Sequence, residues 1–298
     1  MISTEPHRPT LADGLAQWRE RVALPAAGSS RLVFALCAAF AAPLLAALDR
    51  KASAFHFWGT VESGRRQPLW VVSAVYSDAR AELGPISELR GWENFVRNPW
   101  RIACEPRDGP LLLCKFEGAS IGDKAAAVAS VWGSDPLGRS PPLALSEGEA
   151  RLEALEAPEG LHHGLINIPA DAGCGYGIFE TAQPRSPEHA ATTIMQSAFD
   201  LRGLAGALWL REANALIAVL DREIEAGRAT RRMQWFERFG VGTNPGHEPF
   251  EIIALAGEWA TDKGLTGWPR GHASKCVARC AEAASGGSQR KASVVAVE

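Results

Sequence analysis

Three features of the 298-residue sequence predict an α/β fold, with a parallel-type sheet flanked by helices and a C-terminal helical subdomain. Short apolar runs alternate with helical stretches up to about residue 184, as strands joined by helical crossovers do. From about His189 the apolar spacing is helical throughout. Between the first strand and the next helix, Gly59 and Gly64 stand at the G-x-x-x-x-G spacing.

Leu11, Leu15, Trp18 and Val22 share a helical face, and Pro25 to Ser30 is a loop. Leu32 to Leu48 holds no charge and borders on membrane-span length. It is Ala-rich, contains Pro43 and is bounded by Arg31 and by Asp49-Arg50-Lys51, so a buried helix is expected and no membrane segment. Phe55–Trp58 is the first strand. A helix should follow Gly64 and run to about Tyr76, with Pro68 in its first turn, where a missing N–H does least harm. Residues 78–109 are mixed, broken at Gly84-Pro85, Asn98-Pro99 and Pro106. Leu111–Cys114 reads as a central strand and Lys124–Val131 as a helix. Leu143–Leu145 is a strand leading into Ser146-Glu147-Gly148-Glu149, and Leu165–Ile168 is another, closed by Pro169–Gly173. Helices are expected at 189–200, 207–225, 228–239 and 250–263, and the polar tail 285–298 is expected to be disordered. The division is therefore 1–53, an N-terminal helical segment; 54–184, the α/β core; 185–284, the helical subdomain; and 285–298, the tail.

Bulk composition narrows the function classes. The chain is 46% hydrophobic and 22% charged, with net charge −3, which excludes a basic nucleic-acid-binding domain overall. Any DNA contact has to be local, and Arg228, Arg231 and Arg232 form the candidate basic edge, against the plainer reading of a solvated helix face. No apolar h-region follows the polar N-terminus, and the six cysteines (37, 104, 114, 174, 276, 280) are expected as reduced thiols of a cytoplasmic protein. Cys276 and Cys280 lie one helical turn apart, yet no second pair completes a zinc set, so no metal site is expected.

The segment Phe55 to Arg66 reads as an ATP-binding P-loop whose working residues are replaced. Gly59, Ser63 and Gly64 keep the frame. Arg65 stands where the phosphate-binding Lys belongs, and Arg66 where the Mg²⁺-binding hydroxyl belongs.

Several blocks in one order resemble a known family, the domain of unknown function 927. Trp18–Val22, Ser30–Ala35 and Ala41–Leu45 look like its opening segment, Phe55–Gly59 like its P-loop strand and Val71–Tyr76 like the following helix. Asp108–Leu113 is similar to the lead into its Walker B strand, and Leu145–Glu149 to its L-S-T-G-E strand end. Ile168–Gly173 through Phe179-Glu180 matches its most recognisable signature, while Ala256–Glu258 and Gly264–Pro269 resemble its C-terminal helical part. The likeness runs from about Leu11 to Gly286. It implies a P-loop ATPase-like core, ATP and Mg²⁺ as cofactors, and a helicase or primase-helicase module of mobile elements that moves on DNA, as a homo-oligomeric ring.

The departures fall on polar positions. Arg65-Arg66 replace Lys-Thr, Cys114-Lys115 replace the Walker B Asp-Glu, Glu147 replaces Thr, and Gly164 and Pro249 replace two arginines. Guanidinium offers Mg²⁺ no lone pair, a thiol suits a hard cation poorly, and Lys115 would add charge of the wrong sign. Ser146 and Glu147 read equally as sensor-like groups facing a nucleotide or as a strand-to-helix cap. Gly118–Lys124, Gly173–Gly177 and His162-His163 with Cys174 read as loops rather than as a second P-loop, a dinucleotide site or a metal or nucleophile pair. The expected function is a helicase/translocase ATPase-like module deficient in hydrolysis. The alternatives are a non-enzymatic interaction subunit of a replication assembly, or a decayed remnant of such a gene.

Overall fold

A computed structural model describes residues 11–47, 53–76, 111–115, 143–151, 165–183, 185–225 and 248–295. Helix α1 (Leu11–Trp18) continues through a π-helical turn, Arg19–Ala23, into the short α2 (Leu24–Ala26). The long α3 (Ser30–Ala47) leads to strand β1 (Ser53–Trp58), the glycine loop and α4 (Gln67–Tyr76). Strands β2 (Leu111–Lys115), β3 (Leu143–Gly148) and β4 (Leu165–Pro169) follow. Helices α5 (Pro187–Asp200), α6 (Leu204–Glu225), α7 (Glu248–Asp262) and α8 (His272–Val295) complete the described chain.

The four strands form one parallel sheet in the order β2-β3-β1-β4. Parallel order sends all four carboxyl ends to the same edge, where open α/β sheets bind ligands. β1, which carries the glycine loop, is flanked by β3 and β4.

Helix α3 occupies the middle of the molecule: residues 31–45 are all buried, against the sheet, α4, α6, α7 and α8. A helix that is apolar all round needs such a setting. Phe34 meets Phe55 of β1 at 4.9 Å and Phe250 of α7 at 5.8 Å between ring centroids. Pro43 frees the Ala39 carbonyl from its intrahelical bond, and the Tyr76 hydroxyl donates to that carbonyl at 2.7 Å. Trp209 Nε1 donates to the neighbouring Phe40 carbonyl at 2.7 Å. The proline thus costs α3 little, because α4 and α6 supply donors. At Gly257 an added Cβ would lie 2.3 Å from Cys37 Sγ, so this glycine sets the close approach of α7 to α3. The hydrophobic core is continuous across the N-terminal helices, the sheet and the C-terminal helices.

Three expectations need correction. Helix α4 starts at Gln67, two residues later than expected, because residues 61–66 form turns. Strand β3 extends through Ser146 and Glu147 to Gly148, so these two residues lie inside the strand and do not cap a helix. Finally, α8 was not foreseen, and its backbone runs on to Val295 through most of the segment expected to be disordered. Extending a helix already nucleated and packed costs far less than starting one. The expected helices 124–131 and 228–239, the mixed stretch 78–109, the Gly118–Lys124 loop, Gly164 and the arginines at 228, 231 and 232 lie outside the described residues. Among the described residues, no helix is long and apolar enough to cross a membrane.

Candidate functional site

The glycine loop closes tightly on itself. Gly59 has φ +149°, and a Cβ there would sit 2.6 Å from Ser63 Oγ. Gly64 has φ +86°, and its Cβ would sit 2.9 Å from Ile178 Cβ. Neither position accepts a side chain in this conformation. Gly64 N–H donates to the Val61 carbonyl at 3.0 Å, and Ser63 N–H to Thr60 Oγ1 at 3.3 Å. Ser63 Oγ donates to the Thr60 carbonyl at 2.7 Å. These groups bind within the loop.

Arg65 is fully buried. Its Nε donates to Glu147 Oε2 at 2.7 Å, its Nη1 donates to the Gly59 carbonyl at 2.9 Å, and its Nη2 lies 3.6 Å from Glu149 Oε1. Glu147 is 2% exposed. It neighbours Phe57 in register and so stands on the sheet face that carries Phe55, Phe57 and Leu145. The loop's first cation is therefore turned inward, joined to the adjacent strand. Arg66 follows it, half-buried, and its carbonyl accepts from Trp70 N–H at 3.3 Å in the first turn of α4.

Glu62 sits exposed on the loop. Its own backbone N–H, the Thr60 hydroxyl and, less strongly, the Arg65 charge hold its carboxyl below the ordinary range. It is ionised at neutral pH. Glu62, Glu147 and Glu149 thus set three carboxylates around Arg65, a poor field for a triphosphate.

The sheet brings the remaining expected residues to the same edge. Cys114 pairs in register with Ser146, and Lys115 with Glu147, at the carboxyl end of β2. Loop, Ser146-Glu147 and Cys114-Lys115 therefore converge. His162 and His163 lie outside the described residues.

The sequence reading gave no role to His56. It is fully buried, with Nδ1 2.8 Å from Ser146 Oγ and Nε2 2.9 Å from the Ala150 carbonyl. A carbonyl only accepts, so Nε2 carries a proton, and Nδ1 is left for the Ser146 hydroxyl. Ser146 is thereby a link between β1 and β3. A polar residue inside the apolar run Phe55-His56-Phe57 was the signal for such a buried partner. Beside it, Arg151 lies over the Trp58 ring, 5.9 Å from the centroid.

A second network explains the Ile168–Glu180 block. Arg31 is buried at the start of α3, where its Nε donates to the Pro169 carbonyl at 3.0 Å and its Nη2 to the Asp171 carbonyl at 3.1 Å. Its Nη1 lies 3.6 Å from Glu180 Oε1. Glu180 also accepts from the Ser30 N–H and hydroxyl, and Ser29 Oγ donates to the Ile178 carbonyl. The start of α3 thus fastens the loop after β4, and that loop seals one side of the glycine loop. A Cβ at Gly177 would lie 3.3 Å from the Glu62 carbonyl oxygen. Gly173–Gly177 accordingly belongs to a structural turn, closed by the Tyr176–Phe179 bridge. Replacing Arg31 with Met is expected to cost about 1–3 kcal/mol, since it removes the donors of two partly buried carbonyls and the cation beside Glu180. Urea unfolding measures this, and a loss below about 1 kcal/mol would refute the fastening role.

Cys276 and Cys280 face the core, and burial pushes their thiols up to about 11 and about 12. They remain protonated packing groups at neutral pH. No cluster of three or more potential metal ligands occurs among the described residues.

The comparisons with known proteins fit this geometry at two levels. The family model for "Domain of unknown function (DUF927)" matches residues 11–83. That segment covers α1 to α4, β1 and the glycine loop, and leaves the Ile168–Glu180 block outside the match. A solved structure described as "SCCmec type IV Cch - active helicase" superposes with TM-score 0.52 at 13% identity, over 87% of this chain and 48% of that one. The chain thus spans about half of that helicase's length and shares its fold. No curated protein matches the sequence.

Proposed function

We propose that this chain is a P-loop ATPase-like module of the helicase type that is deficient in ATP hydrolysis. The fold shared with a helicase and the DUF927 match at the glycine loop support the first half. One observation carries the second: the cation at the phosphate-binding position, Arg65, is buried in an ion pair with Glu147.

Phosphoryl transfer needs a cation between the β- and γ-phosphates, a hydroxyl and an Asp on Mg²⁺, and a group to orient the nucleophile. Arg66 has no lone pair for a metal, and the Walker B position reads Cys114-Lys115. Drawing Arg65 away to a phosphate would leave Glu147 buried and unpaired, which costs about 3–5 kcal/mol. That cost weakens binding by roughly two to four powers of ten, turning a micromolar ligand into one of about 100 μM to 10 mM. Losing several oriented charge groups together removes turnover as well. The role left is that of a non-hydrolysing member of a larger assembly, with contacts to DNA and a ring of like or related modules as its expected setting.

Titration of a fluorescent ATP analogue, with and without Mg²⁺, tests this reading. The expected curve shows no saturation below roughly 100 μM and no response to the metal. Magnesium-dependent binding at micromolar levels contradicts it.

A further inference from the structure

Resting on that reading, we propose that Glu147 is a built-in plug: its carboxylate takes, against Arg65, the place of the phosphate or short polyphosphate the loop would otherwise hold. One buried contact points to an anion here. The Arg65 guanidinium is folded under the loop, with one N–H on the Gly59 carbonyl and Nε on Glu147 Oε2. On the loop itself, the backbone N–H of Glu62, the Thr60 hydroxyl and the Arg65 charge hold the exposed Glu62 carboxyl below the ordinary range. The loop's cation is thus engaged by a carboxylate of this chain. A buried carboxylate bound to the cation of a G-x-x-x-x-G loop forms a self-liganded oxyanion site.

The strand geometry makes Glu147 the decisive member. It projects from β3, the neighbour of β1, on the face of Phe57 and at the carboxyl edge, so its carboxylate reaches Arg65 from below the loop. Glu62 is exposed and can swing aside, whereas Glu147 is 2% exposed and cannot leave without opening the sheet edge. A shorter neutral residue at 147 would leave the guanidinium facing a space of carboxylate size. The ligand class that suits such a site is a compact oxyanion: phosphate, pyrophosphate or tripolyphosphate.

The test uses the full chain and its variants Glu147→Thr, Glu147→Gln and Arg65→Met/Glu147→Thr, titrated calorimetrically with inorganic tripolyphosphate in the presence of EDTA. The expected result is an affinity roughly tenfold or more above the parent's for Glu147→Thr, a smaller gain for Glu147→Gln, whose amide still fills the space, and no gain in the double variant. If Glu147→Thr is unfolded at the assay temperature, the melting temperature is read instead. Tripolyphosphate should raise it more for the single than for the double variant, a comparison that cancels general stabilisation by excluded anions. Equal behaviour of single and double variants, or no gain over the parent, overturns the plug while leaving the functional reading intact. Micromolar Mg²⁺-ATP binding by the parent overturns the functional reading, and the plug with it.

Discussion

Arg65→Met is expected to destabilise the chain by about 3–5 kcal/mol, because it leaves the Glu147 carboxylate buried and without its partner. Arg65 is fully buried and Glu147 is 2% exposed, so solvent screens the pair little. Glu147→Leu should cost a comparable amount by stranding the guanidinium. Arg65→Met combined with Glu147→Leu should cost much less than the two single losses added together, since an apolar pair leaves no unpaired buried charge. Urea unfolding of the four proteins closes the cycle, with the midpoint shifting at constant slope. Additive losses would mean that the two side chains do not stabilise each other.

The second large effect concerns turnover. Changing Arg65→Lys, Arg66→Thr, Cys114→Asp and Lys115→Glu together restores the groups that phosphoryl transfer requires. Activity should nevertheless stay at background, because Glu147 would neutralise the new lysine as it now neutralises Arg65. Adding Glu147→Thr should then raise ATP turnover by a factor of hundreds or more, the size of effect seen when one oriented charge group is gained or lost. Phosphate release assays on the four-fold and five-fold variants decide this. Full activity in the four-fold variant would show that Glu147 is no obstacle.

Much of the frame was legible in the sequence. The four strands declared themselves as apolar runs between breakers, and their carboxyl ends meet where the glycine spacing implied. α3 was readable as a buried helix because its charge-free, Ala-rich stretch is barely long enough for a bilayer and is bounded by Arg31 and by Asp49-Arg50-Lys51. Other parts were not legible, for physical reasons. Ser146 and Glu147 look like strand-ending residues, and only a partner makes them tenable inside β3. The Arg65–Glu147 link joins residues from separate elements, and no local pattern announces it. The signal available in the sequence was a pair of opposite charges, Arg65 and Glu147, at positions where the pattern it resembles has Lys and Thr. α8 could have been found, since Ala273, Cys276, Val277 and Cys280 follow the i, i+3, i+4, i+7 spacing of a buried face. The one-turn spacing of Cys276 and Cys280 suits metal ligation and helix packing alike. The fastening of the β4 loop by Arg31 depends on the start of α3 lying beside the end of β4, which periodicity alone does not give.

Phosphate release from ATP by the unmodified chain, followed over many minutes with and without Mg²⁺, bears most directly on the whole account. A folded protein with an intact Arg65–Glu147 pair should release no more phosphate than buffer alone, with or without the metal. Sustained release that depends on Mg²⁺ and scales with protein concentration would contradict it.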